Sequence, residues 1–344
     1  MKIPGFLPQG GTIGITAPSF GCVMEPYASA FGNALRNFQD MGYRVRTTPD
    51  CFMDDGIGIS TDPKECASEF MSLYADNDVD FIISAGGGEL MCETLGYIDF
   101  DRLADAKPKF FAGYSDNTNL TFTMPTILDT AAIYCPCAPS FGMKPWHPSL
   151  TQDMELFTGA RSEVSGFPDY EKVSLKTEEN PLAPYNCTEK KVLTLFEGGS
   201  KKREAGMRGR LLGGCLDILT ILCGTKYDKV REFNERYKND GIIWFLEACD
   251  LNVLDIRRTF WQLRKAGWFE RAAGFIIGRP LSGEPVMGLD AHGAVLGEIE
   301  DLGLPVILDA DLGHLPPVVP IVSGAFAEVH ADADNIRIRY DFSR

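Results

Sequence analysis

Three side chains of the types used in nucleophilic acyl chemistry stand at the ends of strand-like runs in this sequence. Ser115 closes the run Phe110-Phe111-Ala112-Gly113-Tyr114, and Asp116 and Asn117 then lead into the helix-like segment TNLTFTM. Glu247 ends Ile242-Ile243-Trp244-Phe245-Leu246, and His314 follows PVILDADLG and precedes Leu315-Pro316-Pro317. A serine nucleophile needs a base to take its proton and an acid to orient that base, and these residues supply the types in the order Ser, Glu, His. A strand that stops on a serine and turns into a helix holds the hydroxyl at the sheet's C-terminal edge, where the helix start favours developing negative charge. The plainer reading is that Ser115 or Asp116 caps the helix, since both types are preferred caps. Glu247 ends a strand so apolar that its carboxylate must be paired or hydrogen-bonded. Spacing by itself leaves the cap and the nucleophile both open.

Gly86-Gly87-Gly88 follow the strand-like Phe81-Ile82-Ile83-Ser84-Ala85 and could bring backbone N–H groups close to a substrate oxygen, as an oxyanion hole requires. A tight turn or a phosphate loop are the alternatives, although neither GxGxxG nor GKS/T is present. Of the four histidines, His147 falls in a proline-rich stretch, His292 in a helix-like Ala/Gly segment and His330 in an alternating strand, so each reads as structural. Cys135-Pro-Cys137 with His147 fits no common zinc spacing, and no metal is expected.

The elements that must carry these residues alternate. TIGITAPS, YRVRTTP, VDFIISAGGG and KFFAGY read as strands, with amphipathic helices at YASAFGNALRNFQDMGY, KECASEFMSLYADND and ELMCETLGYI and another after Ser115. That pattern predicts an α/β fold with a doubly wound parallel sheet whose strand C-termini form the ligand edge, where the glycine run and Ser115 both fall. From residue 144 the period is lost, and KPWHPSL, GFPDYEKV and KTEENPLAPYN read as a linker and long proline-rich loop, a length that is usually functional. A second domain opens near MRGRLLGGCLDIL and holds the strands GIIWFLEA, GFIIGRP, PVILDADLG and NIRIRYDF. The expected division is 1–143, carrying the nucleophile, 144–205, and 206–344, carrying the glutamate and histidine; 344 residues is long for one core.

A net charge of −15 argues against a nucleic-acid partner, and −11 of it lies in residues 1–160. No apolar stretch reaches the roughly 20 residues needed to cross a bilayer, so no membrane partner is expected. The N-terminus lacks the basic and apolar regions of a secretory signal. Ten scattered cysteines without a CxxC pair point to reduced thiols and the cytoplasm.

Taken in order, GITAPS, SAGGGE, YIDFDRLADAKPKFFAGYSDNTNL, GRLLGGCLDIL, FLEACD and DLGHLPP resemble the serine LD-carboxypeptidase family, which includes muramoyl-tetrapeptide carboxypeptidases and microcin-C immunity hydrolases. The resemblance implies Ser115 as nucleophile, Glu247 and His314 as its triad partners, and oxyanion N–H groups from Gly87 and Asp116. It also implies an N-terminal domain like that of class I glutamine amidotransferases, a smaller β-rich C-terminal domain, a homodimer, and no metal or organic cofactor. The substrate would be a murein tetrapeptide losing its terminal D-amino acid, or a peptidyl-nucleotide amide as in the immunity branch. Ala85 stands where the tetrapeptide enzymes commonly carry arginine, and Gly88-Glu89 where they carry Tyr-Gly. The immunity branch stacks a tryptophan of its inserted loop on the nucleotide base, but no tryptophan lies between Trp146 and Trp244, leaving Tyr170 and Tyr185 nearest. Gly88, Arg210 and Tyr185 are the candidates for substrate contact, with Arg208 and Lys202 as further cations. A non-catalytic small-molecule binding module is the remaining alternative, and it requires Ser115, Glu247 and His314 to lie apart.

Overall fold

A computed structural model describes all 344 residues. Strands β1 (Thr12–Thr16), β2 (Arg44–Thr47), β3 (Phe81–Ser84), β4 (Phe111–Gly113) and β5 (Ala132–Tyr134) pair in parallel in the order β5-β4-β3-β1-β2. Their central strands are buried on both sides, as continuous apolar runs in parallel sheets require. Phe81 and Ile83 enter one core while Ile82 enters the other, and Phe110 and Phe111 divide in the same way. Helix Tyr27–Asp40 buries Phe31, Ala34 and Phe38 in the first core. Helix Pro63–Ala75, started by Asp62 accepting from the Lys64 N–H, buries Ala67, Phe70 and Tyr74 in the second. Helices therefore cover both faces, the doubly wound arrangement.

The remainder builds β6 (Glu163–Ser165), β7 (Asp169–Glu171), β8 (Cys187–Lys190), β9 (Thr194–Glu197) and β10 (Ser200–Lys202). After these come β11 (Glu204–Cys215), β12 (Ile242–Glu247), β13 (Ala272–Gly278), β14 (Val306–Ala310), β15 (Ile321–Ser323), β16 (Phe326–Asp332) and β17 (Ile336–Asp341). Nine of them form one sheet, ordered β10-β9-β14-β13-β12-β11-β16-β17-β6, wider than the first. Along β11 the burial alternates while it pairs antiparallel with β16, then becomes continuous from Gly209 as it pairs parallel with β12.

Residues 144–205 are more ordered than the sequence suggests, holding helix Pro148–Phe157 and five short strands. Strands such as β8 and β10 are polar and largely exposed, so neighbours rather than an apolar alternation set their pairing.

The two sheets are joined where β11 ends, beside the helix that follows Ser115. The Cys215 N–H at the end of β11 donates to Thr118 Oγ1 at 3.0 Å, on the helix that follows Ser115. Gly214 permits that approach, since a methyl there would lie 2.6 Å from Thr118 Cγ2. The chain then leaves β14, crosses to pair β15 antiparallel with β5 of the first sheet, and returns as β16. His314 lies on that crossing.

Candidate active site

Ser115 adopts φ 62°, the left-handed region that a residue with a side chain rarely occupies, at a cost of about 1–3 kcal/mol. The strain aims its hydroxyl off the end of β4. His314 Nε2 lies 2.9 Å from Ser115 Oγ, and His314 Nδ1 lies 2.8 Å from Glu247 Oε2. Residues 199 and 67 positions apart thus form one hydrogen-bonded series, not the separated set that a binding module requires. Burial disfavours the charged imidazole, but the Glu247 carboxylate, aided by the Cys249 thiol, more than offsets this and holds the His314 pKa above the ordinary histidine value. Such a series can deprotonate a serine hydroxyl and stabilise the resulting imidazolium.

Tyr134, fully buried at the end of β5, ties the series together from behind. Its hydroxyl donates to Glu247 Oε1 at 2.5 Å and accepts the Ser115 N–H at 3.2 Å. Both Glu247 oxygens are therefore occupied, as a buried carboxylate needs. Close packing of Gly313 leaves no alternative position for Glu247: with φ 102°, a methyl there would come within 2.4 Å of Oε2. Asp217 fixes the turn beyond Glu247 by accepting the N–H groups of Cys249, Asp250 and Leu251 at 3.0, 2.9 and 3.1 Å.

With the Ser115 N–H bound to Tyr134, donors for an oxyanion must come from elsewhere. A methyl placed on Gly87 would lie 3.5 Å from Ser115 Cβ and 3.6 Å from Oγ, so the glycine turn faces the hydroxyl across open space. Gly88 does not share that space: a methyl there would meet Ser19 Oγ at 2.1 Å and Gly58 O at 3.0 Å, so its glycine serves packing of the turn. Asp116 heads the helical turn after Ser115, and its side chain has a task that the sequence did not reveal. The buried carboxylate accepts the Ser19 hydroxyl, the Met91 N–H at 2.9 Å and Asn119 Nδ2 at 3.0 Å, joining three segments around the site. Burial raises its pKa, and those three donors hold the rise back.

Tyr185 stands beside the site, lining an open cleft with Tyr27, Tyr114 and His314. Arg210 does not, and its assignment to substrate contact is overturned. It pairs with Ile242 at the start of β12, whereas Cys215 pairs with Glu247 at the end; five residues of strand separate the two by roughly 16 Å. There its guanidinium meets Asp240 at 2.8 Å, the Gly324 carbonyl at 3.1 Å and the Tyr237 ring at 3.9 Å. Arg208 and Lys202, unlike the buried Arg210, are exposed: Arg208 lies within β11, and Lys202 ends β10 at the far edge of the nine-stranded sheet. His147 caps helix Pro148–Phe157 by accepting the Ser149 N–H, His292 binds Asp309 at 2.9 Å, and His330 sits on the exposed face of β16. The residues missed from sequence are Tyr134 and Gly313. A tyrosine ending the apolar run Ala131-Ala132-Ile133 was the available signal, because a buried hydroxyl must find a partner.

Comparison with known proteins covers most of the chain. Residues 13–134 match the LD-carboxypeptidase N-terminal domain and residues 208–329 the C-terminal domain. The microcin C7 self-immunity protein MccF of Escherichia coli is 27% identical over 288 residues, covering 80% of this chain and 78% of its own. SCO6489 of Streptomyces coelicolor, which its name alone marks as a carboxypeptidase, is 24% identical over 97% of this chain and 95% of its own. The structure of MccF in complex with glutamyl sulfamoyl guanosine superposes with a TM-score of 0.81 at 22% identity, covering 98% of both chains. Two matched domains spanning more than half of the sequence settle the membership: the chain belongs to the LD-carboxypeptidase family.

Proposed function

We propose that the protein is a serine hydrolase that removes a terminal D-amino acid from murein tetrapeptides. The observation that carries this reading is the series Glu247–His314–Ser115, with the Gly87 turn facing the hydroxyl. Ser115 Oγ attacks the carbonyl of the amide as His314 Nε2 takes its proton. Glu247, its other oxygen held by Tyr134, stabilises the imidazolium, and the N–H groups of Gly87 and Asp116 receive the oxyanion. His314 then protonates the leaving amine, and water, deprotonated by the same ring, releases the acyl group from Ser115. No step calls for a metal or organic cofactor. Ten free cysteines support a site of action in a reducing compartment.

A second reading keeps these roles and changes the substrate to an aminoacyl-nucleotide amide. It is favoured by Ala85 before the glycine turn, where the tetrapeptide enzymes commonly carry arginine, and by relatives solved with aminoacyl sulfamoyl nucleosides. Incubation of the purified protein with murein tetrapeptide and with aspartyl sulfamoyl adenosine separates the two. Release of free D-alanine, lost in Ser115→Ala, is the expected result; intact tetrapeptide alongside cleaved nucleoside would leave only the second reading.

A further inference from the structure

One charged side chain in the cleft has no partner of its own. Between residues 172 and 180 every residue is exposed except Lys176. Val173 and Leu175 are 65% and 54% exposed, while the lysine between them and Thr177 turns inward. Hydropathy would order these residues the other way, so something other than apolar burial sets the conformation. Lys176 lines the same cleft as Tyr185, Tyr114 and His314, and no other lysine or arginine lines it. It makes no salt bridge. Glu171, across the cleft, acts on it only at longer range, and its own Oε2 already accepts the Asn186 N–H at 2.6 Å.

The segment is tied to the site at its base. The Glu171 N–H donates to the Pro316 carbonyl at 2.7 Å, two residues beyond His314, and Asn186 Nδ2 donates to the Val173 carbonyl at 2.9 Å. A buried network of Asp311 with Lys191 and Arg279, each at 2.8 Å, and with the Phe167 N–H at 2.8 Å fixes both arms of the insertion. Lys176 is thus carried on a braced loop beside the reacting histidine. A half-buried ammonium without a counter-ion is costly unless an anion joins it, and burial accordingly lowers its pKa.

We propose that Lys176 receives the carboxylate of the substrate's terminal amino acid, making this cleft the subsite for an acyl amino acid whose free carboxylate lies next to the scissile amide. This assignment rests on the hydrolase reading above. The sequence-based cations Arg208, Arg210 and Lys202 leave that role vacant.

The test uses Ser115→Ala protein, which binds without turnover, titrated calorimetrically with murein tetrapeptide and with its C-terminal carboxamide. The carboxylate form should bind about tenfold tighter or more, the factor for one charge-assisted hydrogen bond. That preference should vanish in Ser115→Ala/Lys176→Met and persist in Ser115→Ala/Lys176→Arg, with the carboxamide's affinity unchanged throughout. Equal binding of the two forms, binding of neither, or a preference that survives Lys176→Met overturns the subsite. Turnover by the wild-type enzyme reports separately on the carboxypeptidase reading.

Discussion

Tyr134→Phe removes one oxygen atom and keeps the ring that packs against Phe245 and Tyr114. Two hydrogen bonds go with it: the one donated to Glu247 Oε1 and the one accepted from the Ser115 N–H. Glu247 is 1% exposed, so water does not replace the lost donor. A hydrogen bond to a charged group contributes about 1.5–3 kcal/mol. Lost from a triad whose geometry depends on it, that amount lowers kcat/KM roughly 10- to 150-fold. Stability should fall by about 1–3 kcal/mol in denaturant titrations. The pH profile carries the sharper reading. A carboxylate with one fewer donor attracts the imidazolium more strongly, so the His314 pKa, already above its ordinary value, rises further. The acid limb of kcat/KM, which reports loss of that proton, moves to higher pH. The stability linked to this proton, present below the unfolded-state value of about 6.5 and lost as pH rises through the folded value, persists further into alkaline solution. Rate profiles from pH 5 to 10, with His314 followed by NMR, make the measurement. An acid limb that stays in place with a rate within twofold of wild type would refute the positioning role of Tyr134.

Gly87→Ala separates folding from catalysis. Gly87 has ordinary φ, and the added methyl meets only Ser115, at 3.5 Å, so the melting temperature should hold while kcat/KM falls roughly 10²-fold as the methyl fills the space in front of Oγ; retained activity would remove Gly87 from the oxyanion site. Arg210→Met should do the opposite, lowering stability by about 3 kcal/mol, with Arg344 still reaching Asp240, and leaving KM unchanged. A raised KM in the folded protein would return Arg210 to the substrate.

Ser115, Glu247 and His314 were legible in the sequence because each sits at the end of a strand whose apolar run, or whose glycine and prolines, is a local signal. The same locality exposed the alternation that specifies the parallel sheet, since period and turn chemistry are read within a dozen residues. The order in residues 148–202 was not legible, because short polar strands owe their pairing to neighbours distant in sequence. Arg210 misled for a related reason: an arginine in a strand looks the same at either end of it, and only the register with Ile242 places this one away from the chemistry.

By itself the sequence determined the chemical types, their chain order, the strand-to-helix turn at Ser115 and the family. Tertiary structure decided everything that depends on two sheets meeting. It set the 2.9 Å and 2.8 Å contacts through a crossing that carries His314 from one sheet to the other. It placed the Tyr134 hydroxyl between a backbone N–H and a carboxylate 113 residues away, and it turned Lys176 inward among exposed neighbours. A strand end fixes where a side chain starts, whereas hydrogen bonding and charge act over a few ångströms of space, and that proximity is a property of the fold.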